Sequence, residues 1–142
     1  MNMTFKDRLH LAAVIITLLV FGHYFYKAYA ILAQPEATLT AITGLMIGTV
    51  VIFIVLIVAV AIVQGIVGYK DAAQPEDERD RLMGLLATRN GHYVLLLGLV
   101  GVFVGLYLGA TALQLANIVL LAWVIAECVK SLSVIIYARV GV

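Results

Sequence analysis

The stretch AITGLMIGTVVIFIVLIVAVAIVQGIV, Ala41 to Val67, decides the fold class. From end to end it contains no Asp, Glu, Lys or Arg. A helix rises about 1.5 Å per residue, so a run this long covers the ~30 Å hydrocarbon core of a bilayer. Its centre, Val50 to Val60, is rich in β-branched residues and in water would suggest a buried strand. Length overrides that preference. Backbone polar groups in lipid must pair internally, and an unbroken apolar run does so as a helix, because a barrel strand would alternate.

Three more runs of this kind flank the first. Expected spans cover about residues 9–32, 41–67, 93–113 and 115–137, in a single membrane domain of 142 residues. The composition agrees, being 64% hydrophobic and 12% charged, where a soluble domain is nearer half apolar and a quarter charged. The first run follows Lys6 and Arg8 as a signal peptide would, but it is long and has no small-x-small cleavage site, so it reads as a retained span. A net charge of +1 without a basic face argues against nucleic acid as a partner. The single cysteine, Cys128, excludes an internal disulfide and a CxxC motif.

The connections set the expected orientation. Gln34-Pro35-Glu36 and the turn Ala110 to Asn117 contain no Lys or Arg. Lys6, Arg8, Lys70, Arg79, Arg81, Arg89 and Arg139 all fall on the other side. The positive-inside rule then places both termini and the middle connection in the cytoplasm. Tyr24, Tyr26, Tyr29 and Tyr107 fall near the outer interface, and Phe5, Tyr69, Tyr93 and Tyr137 near the inner one.

Within the middle connection, Gln74-Pro75-Glu76-Asp77-Glu78 reads as a helix start, with Pro75 in the first turn and acids at the positive end of the dipole. Asp77 and Glu78 lie at helical spacing from Arg81, and Leu82, Leu85, Leu86 and Arg89 share one stripe. The expectation is a short cytoplasmic amphipathic helix over about residues 75–90, bending at Asn90-Gly91 into the third span. The fold class is therefore all-α: a four-transmembrane-helix bundle with one interfacial helix.

The run Asp77-Glu78-Arg79-Asp80, followed by Arg89, Gly91 and Tyr93, resembles a pattern in small bacterial four-helix membrane proteins of unknown function. Glu127 in the last span, then Tyr137 and Arg139, resembles the same pattern; His92 and Val140 depart from it. The resemblance implies a bacterial inner-membrane protein with an accessory, sensory or immunity-type role. Asp77, Glu78, Arg79, Asp80, Arg81 and Arg89 are then the candidate cytoplasmic interaction motif.

Ionisable residues inside spans are costly and are functional candidates by default. Lys27 lies close enough to the outer end to snorkel. Glu127 is near the middle of the fourth span, with Lys130 at i+3 as its natural partner in an intrahelical pair. A proton- or substrate-binding role for Glu127 is the alternative. His23 could join Glu127 if the first and fourth spans are neighbours, about one helical turn apart in depth. His10 and His92 fall near the inner interface, where headgroup contact accounts for them better than a haem clamp. Gly101, Gly105 and Gly109 form a GxxxGxxxG row, with Gly98 close to the same face, which predicts close helix packing against a partner in this chain or another.

Nucleophile–base pairs, phosphate loops and metal-ligand spacings are absent from the sequence, so neither enzyme chemistry nor a cofactor or metal is expected. The leading function is a non-enzymatic membrane accessory or sensory protein, in contact with the lipid bilayer and with a membrane protein partner or further copies of itself. The alternative is a small, dimeric, proton-coupled transporter that uses Glu127.

Overall fold

The computed structural model describes residues 5–34, 39–68 and 77–141. Four helices make up the fold: α1 (Phe5–Leu32), α2 (Leu39–Val67), α3 (Glu78–Tyr107) and α4 (Ala112–Val140). Each is long and apolar enough to cross a membrane. Their outward faces carry large apolar side chains such as Ile66, Leu97 and Phe103. In water such an area would be a severe liability; in lipid it is the ordinary surface.

Two expectations about α3 change. The charged segment is not a separate interfacial helix, because α3 runs unbroken from Glu78 to Tyr107 through Asn90-Gly91. Asn90 donates to Ser133 Oγ at 3.1 Å and to the Tyr137 hydroxyl at 2.7 Å, and Gly91 is pressed against α4. Residues suited to a bend are thus held straight by the neighbouring helix. The expected start at Gln74, Pro75 and Glu76 lies outside the described residues. The side chains of Asp77, Glu78 and Arg81 form no ion pair with one another; Asp80 instead meets Lys6 of α1 at 2.9 Å.

The third helix also ends earlier than expected, and the turn is Leu108–Thr111 rather than Ala110–Asn117. Gly109 adopts φ 78°, a left-handed conformation suited to glycine. Around it, Gly109 N donates to Leu106 O at 3.1 Å and Ala110 N to Gly105 O at 2.9 Å, which is a Schellman closure. Thr111 then caps α4. Its hydroxyl accepts from Gln114 N at 3.3 Å, and Gln114 Oε1 accepts from Thr111 N at 2.8 Å.

Packing is carried by three interfaces: α3 with α4, α1 with α2, and α1 with α4. The α1 stripe Val14, Thr17, Phe21, Tyr24 and Ala28 is buried. Phe21 meets both Phe53 of α2 and Trp123 of α4 edge-on, with centroids at 5.2 and 5.5 Å. Near the turn end, Tyr24 donates to Asn117 Oδ1 at 2.9 Å. The most enclosed helix is α4, with 39% of its most apolar window buried against 6% for α2.

Candidate functional site

The α3–α4 interface positions the site through small residues. A Cβ on Gly98 would stand 2.1 Å from Ala122 Cβ. One on Gly91 would stand 3.0 Å from Ala126 O, and one on Gly105 3.1 Å from Leu115 Cδ2. These three glycines are seven residues apart, the spacing of a seam between antiparallel helices at a shallow crossing angle. Of the expected packing glycines, Gly98 and Gly105 do press on α4, and Gly91 extends their row. Gly101 has only ordinary contact, at 3.7 Å from Ile118 Cγ2, and Gly109 serves the turn. The partner of the row is α4 of the same chain.

Beside this seam lies a cleft of about 240 Å³ between α3 and α4. Thr88, Gly91 and His92 form one wall; Trp123, Glu127 and Lys130 form the other. Each set recurs at helical spacing, so each is a single face. Lys130 Nζ donates to both Glu127 oxygens, at 3.1 and 2.9 Å. About a third of each side chain remains accessible, 37% for Lys130 and 35% for Glu127. The two hydrogen-bond only each other among the described residues. Polar bonds between helices lie elsewhere, among them Tyr24–Asn117, Gln64–Arg8 O, Asn90–Ser133, Asn90–Tyr137 and Lys6–Asp80. The pair thus neutralises charge within α4 and ties α4 to no other helix.

His23 does not join this site. It follows the buried Phe21 by two residues, about 200° around the helix, and is exposed on another face of α1 with Lys27. Of the other histidines, one lines the site and one lies near it. His92 lines the cleft, and His10 of α1 lies within electrostatic range of both Lys130 and Glu127. The sequence does contain a signal for His92. Counting equal distances from the turn Leu108–Thr111 brings it level with Glu127, whereas a turn at Ala110–Asn117 points to the wrong residues.

The charged tip of α3 faces the chain ends. Asp80 holds Lys6, and the Arg79 guanidinium lies against Gly141, which closes α4 in a left-handed cap. Asp77, Glu78, Arg81 and Arg89 are exposed. Among the described residues, no three His, Cys, Asp or Glu side chains cluster as metal ligands. No family model, curated protein or solved structure matches the chain.

Proposed function

We propose that the chain is a non-enzymatic, multi-pass sensory or accessory protein of the bacterial cytoplasmic membrane, with both termini and the tip of α3 in the cytoplasm. The observation that carries this reading is the continuity of α3. One rigid rod bears the intramembrane cleft at Gly91 and His92 and the charged tip at Glu78–Arg81. A change of charge or occupancy at Glu127 and Lys130 shifts the α3 wall, and the rod transmits the shift to the tip, where Asp80 clasps Lys6. A protein partner reads the tip through its exposed charges. The likeness of the Asp77–Asp80 run to small bacterial four-helix membrane proteins belongs to the same proposal.

The test uses spin labels on cysteines at Arg8 and Arg81 in a Cys128→Ser background. Replacing the pair by Glu127→Gln/Lys130→Met is expected to shift the distance distribution between the labels. An unchanged distribution overturns the sensory reading. Orientation is tested separately, with cysteines at Gln34 and Glu78 expected to label from opposite sides of the membrane; labelling of Gln34→Cys from the cytoplasm reverses the topology.

A proton-coupled carrier using Glu127 is the second reading, favoured by the accessibility of that carboxylate. One feature weighs against it: the Gly98–Ala122 contact holds the cleft's walls together, where a carrier must open them alternately to both sides. Proton uptake by proteoliposomes that Glu127→Gln abolishes would move this reading to first place.

A further inference from the structure

Resting on the sensory reading, we propose that the α3–α4 cleft binds a small zwitterionic group, an ammonium and an acidic anion carried on one ligand. The argument begins with what the ion pair does not do. Glu127 and Lys130 satisfy each other on one helix and leave a third of each side chain open to the cleft. An ion pair in a low-dielectric setting is rarely a net source of stability, and apolar residues of similar volume serve as well or better. Since this pair joins no two helices, its remaining consequence is to present two opposite charges to the cleft side by side.

Those charges select the ligand. A lone cation that takes Glu127 strands Lys130, and a lone anion that takes Lys130 strands Glu127. Either leaves an uncompensated charge within an apolar helix, which is costly. A zwitterion exchanges one internal pair for two pairs with the ligand and leaves nothing stranded. The surroundings suit each end. Trp123, one turn before Glu127, lines the cleft and brings an aromatic ring near the place of an ammonium. His92, on the opposite wall, brings an imidazole, able to donate a hydrogen bond to an anion, to the same cleft as Lys130. The volume, about that of eight liquid waters, admits a headgroup-sized zwitterion.

This chemistry has two sources, a zwitterionic lipid headgroup and a free zwitterion from solution. Trp123 is the only tryptophan in the chain, so its fluorescence reports the cleft directly. The full chain is placed in nanodiscs of phosphatidylglycerol alone, in nanodiscs with increasing phosphatidylethanolamine, and in phosphatidylglycerol nanodiscs titrated with glycine or phosphoethanolamine. The expected result is a saturable shift of Trp123 emission. Its appearance with phosphatidylethanolamine assigns the lipid source, and its appearance with the soluble compounds assigns the free source. Glu127→Gln and Lys130→Met should each weaken it at least tenfold, and the double variant, which strands no charge, should abolish it. Absence of a saturable shift in every arm, an equal shift in the double variant, or an equal response to ethylammonium would each overturn the proposal. A Trp123 response without movement between labels at Arg8 and Arg81 would keep the ligand and remove the sensory reading.

Discussion

The two halves of the chain are both helical hairpins of apolar composition, yet they are held in different ways. The α3–α4 hairpin has a closed turn, a capped second helix and a row of glycines pressed onto its partner. In the α1–α2 hairpin Phe53 meets Phe21 and Ile42 is buried, but a Cβ on Gly44, Gly48 or Gly65 would have nothing within 4 Å. The same residue type therefore does structural work only where an opposing helix approaches closely. In α3–α4 side-chain geometry specifies the neighbour. In α2 length and apolarity specify most of the helix, and its contacts centre on Phe53 and Ile42.

The sharpest way to break this contrast is Gly98→Leu against Gly48→Leu. At Gly98 even a Cβ stands 2.1 Å from Ala122 Cβ, so the backbones must part. We expect a loss at or above the top of the ~1–3 kcal/mol range for overpacking, read as a lower melting temperature in detergent. Gly48→Leu should stay within about 0.5 kcal/mol of the parent, as open surface substitutions do. Similar melting temperatures for the two variants would erase the distinction between the hairpins.

Next in size is the ion pair, where the three variants should rank by what they strand. Lys130→Met leaves a carboxylate near the middle of α4 and should cost about 2 kcal/mol, reduced from buried-pair values because both groups are partly accessible. Glu127→Gln leaves a lysine whose long stem reaches toward the end of the helix, so it should cost less. The double replacement should melt close to the parent. A double variant as unstable as Lys130→Met would mean that the pair does hold the bundle together.

Much of this was legible in the sequence, because membrane helices answer to length and apolarity. Four runs gave four helices, and the i,i+3 spacing of Glu127 and Lys130 gave their contact. Register was harder to read. The turn at Leu108–Thr111 is made of apolar residues and one of several nearby glycines, so its position depended on a single left-handed conformation at Gly109. The turn's position sets which residues face across it, so it decides both the addition of Gly91 to the packing row and the approach of His92 to Glu127. The place of His10 depends on the packing of α1 against α4, which no local pattern reveals. Thr111→Ala tests the turn directly: loss of the cap should cost about 1 kcal/mol. An unchanged melting temperature would show that the glycine closure alone fixes the register.

The smallest expected effect falls where the halves meet at their charged end. Lys6 and Asp80 are 2.9 Å apart and far separated in sequence, so their bond is one of the few links between α1 and α3. Both remain accessible, 46% and 36%. Water and salt therefore screen the attraction, and the long lysine stem loses freedom on pairing. Asp80→Asn should cost under about 1 kcal/mol at low ionic strength, and the difference should vanish near 1 M salt. A weak clasp is what a movable tip requires, since a strong one would lock α3 against α1 whatever happened at the cleft. A loss comparable to that of Gly98→Leu, persisting in high salt, would show instead that the two hairpins are bolted together at this point, and the contrast between the two halves would have to be redrawn around the Lys6–Asp80 link.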